Sequence, residues 1–217
     1  GWKEIRRIEN QIRDDILDRT QVVCCTCIGS GNEILDGRRF PQVLIDEATQ
    51  ATEPASLVAL TRGARQVVLV GDHKQLPPTV ISFRAEEKGL KRSLFERLVD
   101  LGIEPLLLST QYRMHPAISK FPNQHFYSDR LDDGVKSENR LAPAGLLWPD
   151  WDNPVAFVPV DGGEIVSPDG TSRENPTEVS WVIKILNDIL EAGEITKKDI
   201  GIITPYAGQV RAIRNSM

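Results

Sequence analysis

A short apolar run that ends in two adjacent carboxylates constrains this chain more than any other feature. Val43-Leu44-Ile45 is followed directly by Asp46 and Glu47. Open α/β sheets bind ligands at the carboxyl ends of their strands, which is where this pair would lie. One carboxylate there can hold Mg²⁺, mostly through water, while the next faces a water that attacks a terminal phosphate. Such a pair can also cap a helix or face solvent, so the neighbouring motifs decide between these interpretations.

A second motif follows the next apolar run. Gly71-Asp72-His73-Lys74-Gln75-Leu76-Pro77-Pro78 comes directly after residues 67–70, so we expect it at the same sheet edge as Asp46. The neutral amide of Gln75 both donates and accepts hydrogen bonds, which suits sensing a γ-phosphate or the attacking water. The alternative is a proline-stiffened turn that binds no ligand, and the length of the motif disfavours it.

The third motif is Gln111-Tyr112-Arg113-Met114-His115-Pro116. A guanidinium is always charged and can clamp a phosphoryl group with two hydrogen bonds, so Arg113 suits an arginine finger supplied by a second domain. The ring of Tyr112 offers a flat face for an adenine base. A lone Tyr-Arg pair would more often form a surface salt bridge between domains. The upstream motifs and the following Met-His-Pro disfavour that interpretation.

The phosphate-cradling pattern G-x-x-x-x-G-K-[ST] does not occur in residues 1–217. A nucleotide site built from the three motifs is therefore incomplete in this chain. Two explanations are open: the chain is an excerpt of a longer ATPase whose phosphate loop lies upstream, or it descends from one and has lost the chemistry. We favour the excerpt because the acidic pair, the glutamine and the arginine are all kept.

Composition limits the possible partners. The 217 residues, 40% of them hydrophobic, are enough for one large or two small packed domains. The formal net charge is −5, so no global positive field attracts nucleic acid, and any such contact must be local. The sequence has no apolar run long enough for a membrane span and no signal-peptide pattern. We therefore expect an intracellular protein without membrane contact.

Three cysteines fall within one β-like run at residues 22–28. Cys24, Cys25 and Cys27 are odd in number and crowded, which disfavours a disulfide framework. A zinc site would need a fourth ligand from elsewhere, and the histidines lie in or near other motifs. We expect these residues to be buried strand cysteines.

The first nineteen residues predict an amphipathic helix over residues 3–19. Ile5, Ile8, Ile12 and Ile16 recur at helical spacing among charged residues. Their single narrow seam favours a stalk or coiled-coil arm, and an ordinary surface helix is an equally good interpretation.

The remaining sequence predicts an α/β organisation with parallel strands. Proline in a first turn, a Ser-x-x-Glu capping box at Ser93 and glycines past the ends mark the helices. We place a domain switch near residues 104–109 and loops at 131–153 and 161–176. The predicted strands are 22–27, 43–45, 67–70, 106–108 and 200–203, and the predicted helices are 54–60, 93 to about 102, and 179–190.

Together the motifs resemble superfamily 1 helicases of the up-frameshift and senataxin-like group, most of all its up-frameshift branch, which acts in nonsense-mediated mRNA decay. The resemblance runs from about residue 22 to the end. It rests on Cys24-Cys25-Thr26-Cys27, Ile45-Asp46-Glu47-Ala48-Thr49-Gln50, residues 71–78, Ser93-Leu94-Phe95-Glu96-Arg97-Leu98, residues 111–116, and Ile200-Gly201-Ile202-Ile203-Thr204-Pro205-Tyr206.

The resemblance implies a RecA-like P-loop NTPase fold with two parallel-sheet α/β lobes. The domains would be a stalk helix at 1–19, a partial first lobe at 20–105 and a partial second lobe at 106–217, with ATP between the lobes. The implied site residues are Asp46 for Mg²⁺, Glu47 as the catalytic glutamate, Gln75 as the γ-phosphate sensor, Tyr112 against adenine and Arg113 as the arginine finger.

It also implies an ATP-dependent 5′-to-3′ helicase or translocase on single-stranded RNA or DNA. The implied strand contacts are Thr26, Gly29 and Gly31 from the first lobe and Thr204 and Tyr206 from the second. We further expect a monomer in the cytoplasm, or alternatively the nucleus, with regulatory protein partners. The family's last motifs would lie beyond residue 217, so the chain resembles the middle of such an enzyme.

The sequence disfavours two other classes of protein. A catalytically silent relic that binds nucleic acid or a partner protein would keep the fold without the phosphate loop, and the intact site residues disfavour it. A small-GTPase-like or metabolic P-loop protein is disfavoured by residues 111–116 in a second domain.

Overall fold

The computed structural model describes residues 1–217 and divides into two compact units, residues 1–106 and 107–217. This boundary lies within the segment 104–109, where the sequence predicts a domain switch. Both units mix helices with short strands, as expected for an α/β chain. None of the helices combines the length and the apolar character that crossing a membrane requires.

The first unit is organised around one pair of parallel strands. Its elements are α1 (Trp2–Arg19), β1 (Gln42–Ile45), α2 (Glu53–Leu60), β2 (Gln66–Leu69), α3 (Phe83–Glu87) and α4 (Leu94–Asp100). Val43 lies opposite Val67 and Ile45 opposite Leu69, and β-branched residues of this kind favour strand pairing. The strands predicted at 43–45 and 67–70 are therefore confirmed, and their parallel direction brings their carboxyl ends to one edge.

An ion pair joins α2 to α4. Arg97 donates from Nε and Nη2 to the two carboxylate oxygens of Glu53, at 2.8 and 2.7 Å. These hydrogen bonds lower the pKa of Glu53 and raise that of Arg97. At the start of α4 the buried hydroxyl of Ser93 accepts from the backbone N–H of Glu96 at 3.1 Å. Both helices begin where their capping signals predict, Pro54 being in the first turn of α2.

Helix α1 confirms the amphipathic pattern, but nothing in this chain covers its apolar seam. Its four isoleucines are between 45 and 59% exposed, and the helix has no buried residue. Arg38 attaches its second half to the unit by donating to the carboxylates of Asp14 and Asp18. A stalk or coiled-coil arm and an ordinary surface helix both stay predictions for this helix.

The cysteine run is not the buried strand that the sequence predicts. Residues 22–27 form no strand, and Cys24 and Cys25 are exposed. A strand exists only where a neighbour completes its hydrogen bonds, and no strand pairs with this run. The chain instead turns into short 3-10 helices at Gly29–Gly31 and Glu33–Leu35.

Two further strand predictions are wrong for the same reason. Residues 106–108 and 200–203 are apolar, yet neither segment pairs with another strand. Leu106 is 98% exposed and Ile203 97%, so these apolar side chains have no cover. An apolar run alone cannot reveal whether a pairing partner exists.

The second unit contains two small sheets and three α-helices. Its elements are β3 (Thr110–Gln111), α5 (Pro116–Phe126), β4 (Asp132–Asp133), β5 (Ile165–Val166), β6 (Arg173–Glu174), α6 (Pro176–Glu191) and α7 (Ala207–Ser216). β3 and β4 are parallel, whereas β5 and β6 form an antiparallel hairpin. This hairpin corrects the loop prediction for 161–176, where Gly170 at φ +71° allows a tight turn. The predicted helix 179–190 is confirmed and starts three residues earlier.

Helix α7 is anchored to the hairpin by polar contacts and close packing. The N–H of Gly208 donates to the Ser172 hydroxyl at 3.0 Å. A Cβ on Gly208 would lie 2.6 Å from the carbonyl oxygen of Arg173, so only glycine allows this approach. Arg211 of the same helix pairs with Asp169 in the hairpin turn. The start of α7 is thereby fixed to the segment before α6.

We expect Asp169 to make the stability of the second unit acid-sensitive. Hydrogen bonds from the Ser167 hydroxyl and from Thr171 lower the pKa of Asp169 from 3.8 to about 2. Because the folded pKa lies below the unfolded one, ionised Asp169 stabilises the fold above about pH 4, and this contribution is lost as the pH falls toward 2. Denaturant unfolding of Asp169→Asn between pH 5 and 2 should show a flatter profile than wild type.

Ser167→Ala provides the second variant, because it removes the main cause of the shift while keeping the carboxylate. Its acid-dependent loss of stability should be smaller than in the wild type and complete at a higher pH, because the folded pKa then lies nearer the unfolded one. Profiles identical to wild type for both variants would contradict the assignment.

Candidate nucleotide site

Asp46 and Glu47 lie exposed directly beyond β1, and local bonds fix both. The N–H of Glu47 donates to Asp46 Oδ1 at 3.1 Å, and Gln50 Nε2 donates to Glu47 Oε2 at 3.0 Å. The backbone of Glu47 has a φ of +52°, in the left-handed region that non-glycine residues avoid. Such strained positions cluster at functional sites. Glu47 is therefore held in place by its backbone and by its side chain.

The Gly71–Pro78 segment meets the acidic pair at the same edge. Beyond the paired strands, the N–H of Ala48 donates to the carbonyl of Val70 at 2.8 Å. The N–H of Asp72 then donates to the buried hydroxyl of Thr49 at 3.2 Å. A Cβ on Gly71 would lie 3.0 Å from the backbone and side chain of Thr49, so glycine permits this close approach.

Asp72 holds the predicted sensor glutamine. Its carboxylate accepts from Gln75 Nε2 at 2.8 Å and from the backbone N–H of Lys74 at 3.0 Å. A carboxylate only accepts hydrogen bonds, so the amide nitrogen of Gln75 faces Asp72. The amide oxygen remains for a ligand, and it can accept a hydrogen bond from water.

In the second unit, Tyr112 and Arg113 lie exposed on a turn built by the Gln111 side chain. Gln111 Oε1 accepts from the N–H groups of Arg113 and Met114 at 3.0 and 2.7 Å. Gln111 Nε2 donates to the carbonyl of Met114 at 2.9 Å and to Asp133 Oδ1 at 2.7 Å. All hydrogen-bonding atoms of the Gln111 amide are thus used to shape the turn.

His115 and Pro116 terminate this turn and begin α5. The buried His115 caps the helix, because its Nδ1 accepts from the N–H of Ala117 at 3.0 Å. One turn later the buried hydroxyl of Ser119 donates to Asp133 Oδ1 at 2.6 Å. The end of the 111–116 motif therefore supports the fold, while Tyr112 and Arg113 stay available to a ligand.

The residues predicted to contact a nucleic-acid strand lie in two turns, one in each unit. Thr26 Oγ1 accepts from the N–H of Gly29 at 2.9 Å, and a Cβ on Gly31 would lie 2.9 Å from the Val58 side chain of α2. Close packing against α2 therefore favours glycine at position 31, apart from any contact with a nucleic-acid strand.

In the second unit the turn precedes α7. Tyr206 is 51% exposed, and its N–H donates to Thr204 Oγ1 at 3.4 Å. Each turn thus combines a hydroxyl with nearby backbone amides, the groups that commonly bind phosphates.

Comparison with known proteins places the chain in a family. Two family models described as AAA domain match residues 1–83 and 90–217. The chain belongs to the AAA-domain family. It is 44% identical to a regulator of nonsense transcripts 1 homolog of Neurospora crassa over 99% of the chain, and 43% identical to the ATP-dependent helicase NAM7 of Saccharomyces cerevisiae over 95%. These alignments cover 20% and 21% of those relatives, so the chain spans about a fifth of their length.

The acidic pair of this AAA-domain chain fits a magnesium ion held by a single side chain. No group of three or more His, Cys, Asp or Glu side chains in residues 1–217 is arranged to hold a metal. Mg²⁺ does not require one, since it usually binds one or two carboxylates together with phosphate oxygens and keeps several waters. Asp46 is exposed at the strand end and meets this description.

Sequence reasoning missed the residues that hold the functional side chains. Gln50, Asp72, Gln111, Ser119 and Asp133 each donate or accept a bond that orients a predicted site residue or its turn. Gln50, Asp72 and Gln111 lie inside the recognised motifs, and that position is the sequence signal that could have identified them. Nothing in the sequence marked Ser119 or Asp133.

We expect Thr49→Val to loosen the contact between the two loops at this edge. Valine keeps the volume but removes the acceptor for the N–H of Asp72, which should lower the free energy of unfolding by about 1–2 kcal/mol. Urea unfolding of this chain measures the change. Thr61→Val is the matched control, since the Thr61 hydroxyl donates to the Val58 carbonyl on an exposed surface. An equal loss in both variants would contradict the role of Thr49.

Proposed function

We propose that this chain is part of an ATP-dependent 5′-to-3′ helicase or translocase that acts on single-stranded RNA or DNA. In that enzyme it binds the metal ion, orients the attacking water and contacts the adenine base. The observation that carries the proposal is the meeting of Asp46 and Glu47 with the Gln75 loop at the carboxyl ends of parallel β1 and β2. Relatives named as ATP-dependent helicases, over 40% identical along nearly the whole chain, support it.

In the first unit, each reacting group has a defined task. Asp46 would hold Mg²⁺, which neutralises charge on the β- and γ-phosphates when bound. Glu47, oriented by Gln50, accepts a proton from the attacking water. Gln75, whose amide nitrogen is held by Asp72, presents its oxygen to that water or reports the γ-phosphate. The hydrolysis step therefore begins from groups that local hydrogen bonds already orient.

In the second unit, Arg113 stabilises the charge that develops on the transferred phosphoryl group, and Tyr112 stacks on the adenine ring. We propose that the two units are RecA-like lobes. Opening and closing of such lobes during hydrolysis changes the affinity for a nucleic-acid strand, which produces stepping.

For the strand itself we propose contacts from Thr26, Gly29 and Gly31 in one unit and Thr204 and Tyr206 in the other. Hydroxyls and backbone amides contact phosphate and sugar rather than base edges, so binding is nearly independent of sequence. We also propose a monomer that works in the cytoplasm, with the nucleus as the alternative, under the control of protein partners.

We expect this 217-residue chain to hydrolyse ATP negligibly. Without phosphate-loop amides and lysine, the β- and γ-phosphates have no cradle. Phosphate release is measured with and without single-stranded RNA, at saturating Mg²⁺ and ATP. Robust RNA-stimulated turnover by this chain would show that residues 1–217 suffice and would overturn the prediction.

We expect Glu47→Gln in the full-length natural protein to retain ATP binding while turnover falls by about 100-fold or more, because glutamine cannot accept the proton from water. Nucleotide binding and phosphate release are measured on the same preparation. Glu33→Gln, at an exposed position of the same unit, is the control and should behave as wild type.

Wild-type turnover in Glu47→Gln would remove Glu47 from the mechanism. Loss of turnover in Glu47→Gln also separates the helicase from a catalytically silent relic, in which neither variant would change a rate that is already absent.

A further inference from the structure

The turn that carries Tyr112 and Arg113 is exposed, and neighbouring backbone supports it. Both side chains are exposed, Tyr112 by 69%. Strand β4 runs beside β3, and directly beyond it the N–H of Gly134 donates to the Gln111 carbonyl at 2.8 Å. The consecutive residues Asp133 and Gly134 therefore lie against the base of the turn.

Asp133 acts on the turn through the Gln111 amide. Its Oδ1 accepts from Gln111 Nε2 at 2.7 Å and from the Ser119 hydroxyl at 2.6 Å. Because a carboxylate offers only acceptors, the amide of Gln111 must point its nitrogen toward Asp133. Its oxygen is then directed to the N–H groups of Arg113 and Met114, which it bonds. Asp133 thus fixes the amide orientation that shapes the turn.

Gly134 acts on the Tyr112 ring directly. A Cβ at this position would lie 2.3 Å from Tyr112 Cε1, 2.5 Å from Cδ1 and 2.9 Å from Cζ. Its φ is not in the left-handed region, so the backbone conformation alone does not demand glycine. Glycine is needed because the Tyr112 ring occupies the space that a side chain would take. One side of the ring rests against this backbone, which leaves the exposed remainder for a flat ligand.

We propose that Asp133 and Gly134 are positioning residues for nucleotide: Gly134 sets the place of the Tyr112 ring against the base, and Asp133 sets the turn that carries Arg113. This inference rests on the proposed function, in which Tyr112 stacks on adenine. It assigns separate effects to the two neighbours, since one acts on base binding and the other on turnover.

The test for Gly134 is a double-mutant cycle in the full-length natural protein, with steady-state ATP hydrolysis as the readout. An alanine methyl displaces the exposed ring without requiring the fold to change. Tyr112→Ala should raise KM for ATP about tenfold, as loss of one aromatic stacking contact does, and Gly134→Ala should raise it severalfold with little change in kcat. In the Tyr112→Ala background, Gly134→Ala should add nothing.

Gly163→Ala is the matched control, because a Cβ there meets no atom within 4 Å and its φ is not in the left-handed region. It should leave KM and kcat unchanged. A Gly134→Ala effect that persists undiminished in the Tyr112→Ala background would show a general structural role and overturn the proposal for Gly134.

The test for Asp133 compares two substitutions. Asp133→Ala removes the acceptor, so kcat should fall about tenfold as Arg113 loses its fixed place, which equals about 1.4 kcal/mol. Asp133→Asn keeps an oxygen that can accept from Gln111 and Ser119, and it should restore most of the turnover. Equal kcat values in Asp133→Ala and wild type, or no recovery in Asp133→Asn, would overturn this part.

The role of Tyr112 and the positioning role of Gly134 can be tested separately. If Tyr112→Ala leaves KM for ATP unchanged, the proposed role of Tyr112 is wrong, whatever Gly134→Ala does. If Tyr112→Ala raises KM while Gly134→Ala does not, Tyr112 keeps its role and only the positioning role of Gly134 is wrong.

Discussion

The parallel pairing of β1 with β2 is the constraint on which the candidate site depends. Because both strands run in the same direction, the acidic pair after β1 and the Gly71–Pro78 segment after β2 emerge at one edge. The hydrogen bond from Asp72 to Thr49 then holds the two loops together. An antiparallel pairing would send these segments to opposite ends of the sheet, and the same residues could not act on one phosphate.

Local signals predicted α1, α2, α4 and α6 but not α3, α5 or α7, and pairing decided the strands. α2, α4 and α6 begin where proline, a capping serine and a capping asparagine stand, since a cap acts within one turn of the chain. The strands expected at residues 22–27, 106–108 and 200–203 are absent because each would need a distant partner. Strand formation depends on contacts that no short window of sequence contains.

The candidate site was likewise predictable from the sequence only in part. The types and order of Asp46, Glu47, Gln75 and Arg113 were readable, because their chemistry is tied to residue type. The hydrogen bonds that orient them could not be predicted. Gln50 bonds Glu47 because the backbone turns unusually at Glu47, and Asp133 reaches Gln111 only because β4 lies beside β3. Such bonds depend on backbone geometry, whereas residue identity alone shows only what a side chain is able to do.

The two-stranded sheet of the first unit also affects how this chain behaves at high concentration. With only two strands, β1 and β2 each keep one edge whose backbone donors and acceptors lack a neighbouring strand. Leu44, Val67 and Val68 add exposed apolar surface on the faces of these strands. Open apolar edges are templates on which another copy can add a strand, so the chain carries an intrinsic tendency toward edge-to-edge aggregation that dilution suppresses.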